Sequence, residues 1–443
     1  MAGHSNSRNG VIYFLIDNSL LLIIGASIAL IWANLDHSNG THSYHSLLDF
    51  DVTTLWTDGQ DAAGDHGVEP TAGRTEEAAT APHGLTLHFI INDILMALFF
   101  AIAAKEVWES LLPGGALSNP RKAATPLFAT LGGFLGPVIV YLGGAAIAGG
   151  DSFAALKDGW AVPCATDIAF SYLVARLIFG GSHPAIAFLL LLAIADDAAG
   201  LLILAVFFPT QAIEPVWLLL TVAAMGAAYL MQKRNVHSHW AYLLGPGVMS
   251  WMSFYLAHIH PALGLVPIIP MLPHAQTDLG LFAREELNRD DTLNEFEHFW
   301  KGPVEYILGL FGLANAGVVL TSVGTGTWLV LAGLLIGKPV GITTMTLIAE
   351  KCFGLQKPVG MDYRHVVTLG MVAGIGFTVA LFVSVAAFRQ PGAIQDSIKM
   401  GALLSFLAAP IAILMGRALK IRPDADHIDP PESSAVESDA AAA

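Results

Sequence analysis

The sequence predicts an all-α polytopic membrane protein with twelve transmembrane helices, inverted-topology repeats, and two crossed, interrupted helices at spans 4 and 11. Three observations predict it. The chain is 54% hydrophobic and 13% charged, where a soluble domain carries about a quarter charged residues. Apolar runs recur along its length, each near the roughly 20 residues that cross about 30 Å of hydrocarbon, and in lipid a helix satisfies its own backbone hydrogen bonds. Two of the runs are broken in the middle, at PCATDIAF from Pro163 and at GIGFT from Gly374.

In chain order the spans are expected at 11–35, 87–108, 123–148, 159–178, 185–208, 213–231, 239–257, 260–273, 303–321, 327–350, 365–388 and 397–418. No small-residue cleavage site follows the first run, so it reads as a retained span. The eighth is short, and Pro163 with Thr166 interrupts the fourth. An even number of spans puts both ends on one side. Most of the 21 Lys and Arg then fall on that side, leaving Arg74, Lys157, Arg389 and Lys399 opposite and Lys338 inside a span. The bias makes the side with both termini cytoplasmic, the membrane being the inner or plasma membrane.

The twelve-span core, 11–420, is thus flanked by a short N-terminus (1–10) and an acidic, Ala/Pro-rich tail (421–443) that reads as disordered. Residues 36–86 form a polar outer loop with no predicted structure, and 274–302 a cytoplasmic loop. His37, His42, His45, His66 and His83 in the outer loop read as solvated rather than as metal ligands. Cys164 and Cys352 belong to different spans and give no disulfide framework. The net charge of −15 comes mostly from loops and tails and signals no nucleic acid.

Function is legible in the buried charges. Asp167 lies in the fourth span, Asp196 and Asp197 in the fifth, and Lys338 in the tenth, with Asp93 and Glu106 flanking the second. Charge at mid-bilayer is costly, so such groups face a partner or a wet cavity. One lysine cannot neutralise two adjacent acids. Neighbours on a helix point about 100° apart, so the pair can share a cavity only if a nearby segment is unwound. Interrupted spans four and eleven supply that space, and corresponding breaks in two halves, spans three to five and ten to twelve, indicate a transporter of inverted repeats. Broken helices end in partial charges, which Asp167 and Lys338 are suited to balance. Repulsion and poor solvation favour a proton on the acid pair, while its oxygens suit a hard cation. Protons and a small cation then compete for one site. Alternate opening of such a site to each side is exchange.

With these residues assembled, the chain resembles the NhaA family of sodium/proton antiporters. The resemblance is carried by IND-LMALFF from Ile91, GWAVPCATDIAF from Gly159, AIADDAAG from Ala193, LANAGV from Leu313, LIGKP from Leu335 and GIGFT, in that order over nearly all of 11–420. It implies that Asp196 and Asp197 bind Na+ or Li+ and protons, with Thr166 nearby, and that Asp167 and Lys338 offset the half-helix dipoles. It further implies electrogenic export of sodium against inward protons, a role in sodium and pH homeostasis, and no cofactor. A homodimer in the lipid bilayer is also in keeping with it. An alkaline pH response would fall to Glu106, Glu297 and His298 at the cytoplasmic mouth, and to His260. The sequence departs from the family around Lys105, Trp108 and Lys301, in the long loop 36–86, and at Cys164, which is expected to reach the cavity.

The rival readings are weaker. An intramembrane aspartyl protease places its acids on two helices, commonly in GxGD, which is absent here; the chain is expected not to be an enzyme. A sodium-coupled organic-anion symporter would use Lys338 for its substrate. A channel lacks its filter motifs and charged rings.

Overall fold

Leucines and isoleucines on the perimeter, such as Ile139 at 68% and Ile147 at 89% exposure, face outward because the surrounding solvent is hydrocarbon rather than water. The computed structural model describes residues 20–54, 85–115, 117–118, 120–181, 183–274, 291–388 and 392–423. Among them every regular element is helical. The N-terminus 1–10, His66, His83 and the tail from 424 lie outside the described residues, as does 275–290 of the cytoplasmic loop.

The elements that position the site are α1 (Leu20–Asn39), α2 (Leu87–Leu111), α3 (Pro120–Ile147), α4 (Ile168–Phe179), α5 (Pro184–Phe207), α6 (Pro215–Lys233), α7 (Val248–Leu256), α8 (Thr292–Asn315), α9 (Thr325–Phe353), α10 (Tyr363–Ala373), α11 (Phe377–Ala387) and α12 (Ala393–Ala418). By length and composition, seven helices among the described residues can cross a membrane, or nine if each bent pair is one span. The bent pairs are the two predicted breaks. Gly150–Cys164 meets α4 at 55°, and α10 meets α11 at 49°.

Local chemistry starts these helices where they start. Asp167 caps α4 by accepting from the Phe170 amide, and His183 with Pro184 opens α5, proline being suited to the first helical position. Asp291 caps α8 through the Asn294 amide. That cap starts the helix well before the apolar stretch expected as the ninth span. The helix runs from Thr292, not 303, so Glu297 and His298 stand on a helix face rather than in a loop. The eighth span is a 3₁₀ segment, Pro261–Leu263 followed by Val266–Met271, because its prolines remove amide donors. Asp93 and Glu106 lie within α2 rather than beside it.

Small residues set the closest helix contacts. Gly132 and Gly136 of α3 lie against Gly341 and Gly337 of α9, where a Cβ on Gly136 would stand 2.1 Å from the Gly337 carbonyl oxygen. Such small-xxx-small pairs let backbones approach where lipid offers no hydrophobic drive. Gly25 of α1 meets Gly309 of α8 in the same way.

The outer loop is corrected over 36–54. It is not structureless there, because Asp36 accepts from Thr41, Ser43 and the Tyr44 amide and folds the chain into a short helix, Ser43–Leu48. The buried Tyr44 hydroxyl reaches the end of α8, bonding the Leu313 carbonyl at 2.8 Å and the Ala314 carbonyl at 3.0 Å. Tyr44→Phe is expected to lower the stability of the detergent-solubilised protein by about 1–3 kcal/mol, the cost of leaving buried acceptors unpaired, read as a lower unfolding temperature. An unchanged temperature would mean that the loop is not held there.

Candidate ion-binding site

Where the broken pairs cross, backbone replaces helix. The Asp167 amide donates to the Ile375 carbonyl at 2.7 Å, Thr166 Oγ1 lies 3.3 Å from the Ala373 carbonyl, and Ser171 Oγ donates to the Val372 carbonyl at 3.1 Å. Each interrupted segment thus satisfies groups the other exposes. Asp167 lies at two helix N-termini at once. Its carboxylate accepts from the Phe170 amide of α4, and from both the Thr378 amide and hydroxyl of α11. An anion there faces the positive ends of two helices. Thr378, the last residue of GIGFT, was not singled out from sequence, and only the crossing reveals its partner.

Lys338 meets the C-terminal end of the broken segment that precedes α4. It is fully buried, follows a π-helical stretch of α9 (Gly333–Gly337), and donates to the Cys164 carbonyl that ends the 3₁₀ segment Lys157–Cys164. Its Nζ also lies 3.0 Å from Asp196 Oδ2. Thr166 Oγ1 donates to that same oxygen at 2.6 Å.

The two adjacent acids therefore differ. Asp196 is buried, ion-paired and hydrogen-bonded. Asp197 is half-buried and makes no hydrogen bond to a described residue; it faces a cavity of about 250 Å³ shared with Thr166, Asp167 and Thr378. The cavity extends past Glu106 to Glu297 and exposed Lys301. A small second pocket touches Asp196, Asp197 and Cys164, so the cysteine does border the acid pair.

The four residues assigned to pH response are not brought together. Glu106 and Glu297 line the site cavity. His298, on the same helix as Glu297, points to solvent, because adjacent helical residues diverge by about 100°. His260 lies at the opposite end of the molecule, with Nδ1 3.7 Å from Asp93 Oδ1 and its ring against Phe382. At the mouth, buried Lys105 bridges Glu109 and Glu297, tying α2 to α8. Its partner could not be read from sequence, since they lie 192 positions apart.

Residues 16–416 match the family described as Na+/H+ antiporter 1. The chain belongs to that family. Among its relatives, the Na(+)/H(+) antiporter NhaA of Jannaschia sp. (strain CCS1) is 49% identical over 428 residues, covering 92% of this chain and 98% of that one. The NhaA of Geobacter sulfurreducens is 46% identical over 406 residues, 91% of this chain and 96% of its own. That of Desulfitobacterium hafniense (strain DSM 10664 / DCB-2) is 45% identical over 420 residues, with 94% and 98% covered. Family and apolar helices together make the chain a multi-pass membrane protein of the antiporter class.

Within an antiporter fold, Thr166 stands between the ion-paired acid and the crossing. Thr166→Val removes a hydrogen bond to a charged oxygen, worth about 1.5–3 kcal/mol. It is expected to weaken apparent sodium affinity by about tenfold or more at that energy, in a sodium titration of transport. An unchanged half-saturating sodium concentration would exclude the hydroxyl from the site.

Proposed function

We propose that this chain is a secondary active transporter that exchanges cytoplasmic Na+, or Li+, for external H+ at Asp196 and Asp197. The observation that carries the reading is the asymmetry of the pair: Asp197 open to a cavity, Asp196 held by Thr166 and Lys338. A hard cation entering past Glu297 meets Asp197 first. Coordination by Asp196 and the Thr166 hydroxyl then draws Asp196 away from Lys338. Two carboxylates and a hydroxyl are an all-oxygen donor set for the transported ion.

Protons compete for the same oxygens. Return of the empty site with two protons, against one sodium carried out, moves one net positive charge inward per cycle, which makes exchange electrogenic. Because acid favours the protonated pair, transport is expected to rise toward alkaline pH. Glu106 and Glu297 are positioned to modulate entry; Lys105 ties Glu297 to α2. The charge bias of the loops supports an orientation with both termini cytoplasmic, in keeping with an inner or plasma membrane location, and on that orientation the Glu297 end faces the cytoplasm. The organic-anion reading finds no support, since it needs Lys338 open to a substrate and Lys338 is fully buried between Asp196 and the Cys164 carbonyl.

The test uses everted vesicles with an acidified lumen and a pH-sensitive dye, adding sodium or lithium at about pH 6.5 to 9, a range that brackets carboxylates in poorly solvated sites. Prompt dequenching with sodium, growing with pH, is the expected result. No response at any pH from folded, inserted protein would overturn exchange.

A further inference from the structure

Glu305 of α8 lies inside the expected ninth span, 303–321, where an ionisable side chain marks function by default. The exchange described above makes no use of it. It is half-buried and lines the site cavity together with Asp197, Glu297 and Lys301. Glu297, Lys301 and Glu305 follow one another at four-residue spacing, so they form one stripe along the helix. Each step carries the stripe about 6 Å inward. Leu308, three residues beyond Glu305, is the innermost residue that α8 gives to the cavity.

Two ties between α2 and α8 fix how deep Glu305 stands. At the mouth, Lys105 holds Glu297. Towards the other end, Asn92 and Asn315 exchange side-chain amide hydrogen bonds at 3.0 and 2.8 Å. Glu305 lies between these ties, eight residues past Glu297 and ten short of Asn315. It is therefore level with the apolar part of α2 that lines the cavity, Phe99 and Ile102. Other acids of the cavity are engaged elsewhere. Asp167 accepts from the starts of α4 and α11, and Glu297 is bound to Lys105. Among the described lining residues Lys301 is the one cation, and it is exposed.

We infer that Glu305 is a further residue of the exchange path: a fixed negative charge, about one helical turn inside Lys301, that offsets the lysine's repulsion and concentrates the cation in front of Asp197. The inference rests on the exchange reading above. An incoming sodium ion must pass exposed Lys301 before it reaches Asp197. With no acid just beyond it, the ammonium field would hold cations back at the mouth, between walls whose low dielectric strengthens every charge. An acid on the inner side reverses that field, and a cleft lined by negative charge raises the local concentration of its counter-ion. A Glu–Lys pair at this spacing on the lipid face would add helix stability alone; here both side chains border the route to the acid pair. Glu305 acts through its field. The oxygen ligands of the ion stay those of the reading above, Asp196, Asp197 and the Thr166 hydroxyl.

The experiment titrates sodium on everted vesicles carrying the full chain, at low and high choline chloride. The screening length falls from about 30 Å at 0.01 M to about 3 Å at 1 M. At low salt Glu305→Gln is expected to raise the half-saturating sodium concentration about tenfold, the lower end of what a focusing charge gives, with the maximal rate kept. At high salt the gap to the wild type should close, because screening removes the wild type's advantage. Glu305→Asp, which keeps the charge, should recover most of the lost affinity. Glu295→Gln removes an exposed acid from the same helix outside the cavity and should match the wild type. Glutamine has the shape of a protonated glutamate, so an unshifted half-saturating concentration in Glu305→Gln would overturn the inference. A shift that is equal at both salt concentrations, or a lower maximal rate alone, would overturn it too, since packing is indifferent to salt. If Glu305→Gln fails to elute as a monodisperse species, Lys301→Gln reads the same field with the opposite sign. Half-saturating sodium should then fall at low salt, and no change there would overturn the role. A wild-type protein that does not respond to sodium would remove the exchange reading and this role with it.

Discussion

Asp197→Asn is expected to reduce sodium-driven dequenching to background while leaving the unfolding temperature of the solubilised protein almost unchanged. The carboxylate faces the cavity, is half-buried, and makes no hydrogen bond to a described residue, so the folded state loses little when its charge goes. On the proposed exchange, the transported ion loses its first anionic ligand. Asp196→Asn is expected to abolish exchange too, but with a different signature. It strips Lys338 of its carboxylate partner while the ammonium stays fully buried, and breaking a buried pair from one side costs about 3–5 kcal/mol. Thermal unfolding therefore separates the two variants even though transport does not. Exchange near the wild-type rate in both would sink the site.

Gly136→Ala is expected to be among the costliest single methyl groups that can be added to α3. Its Cβ would stand 2.1 Å from the Gly337 carbonyl oxygen and 2.9 Å from the Gly341 Cα. Both are backbone atoms, so no side chain can swing aside, and α3 and α9 must separate. Because Lys338 follows Gly337 directly, separation also pulls the ammonium from Asp196 and the Cys164 carbonyl. The expected result is loss of properly inserted, monodisperse protein, with no exchange from whatever remains. Gly143 is the control on the same helix: nothing lies within 4 Å of its added Cβ. Gly143→Ala should be neutral or slightly stabilising, since alanine is the better helix former by about 1 kcal/mol. Equal tolerance at both positions would show that the α3–α9 contact is not close.

What the chain reveals of its own fold depends on the range of the forces involved. Hydropathy is a sum over neighbouring residues, so nine of the twelve expected spans, two of them the bent pairs, could be read from the chain in their order; the other three do not stand among the described helices long and apolar enough to cross. The breaks at Pro163 and around Gly374 were legible for the same reason, since proline and glycine act on their own backbone. Edges were less legible. The start of α8 moved to Thr292 because the Asp291 cap extends a helix through a polar turn that hydropathy reads as loop. The fold of residues 36–54 was missed because its anchor, the Tyr44 hydroxyl, bonds carbonyls some 270 residues away.

The candidate site divides the same way. Aspartates in an apolar span announce themselves, because charge in hydrocarbon needs a reason. Asn92 and Asn315 each stood in a recognisable stretch, IND and LANAGV, yet nothing in either stretch says that they pair. The sequence by itself determined the solvent of this protein, the family it resembles and the buried acids proposed to carry its chemistry, since those follow from residue type and local order. Only the tertiary structure decided that Asp196 is locked to Lys338 while Asp197 is open, that His260 and Glu297 serve opposite ends, and that Glu305 borders the cavity of Asp197. Adjacent residues on a helix face different surroundings, and those surroundings are built by segments that the chain order keeps far apart.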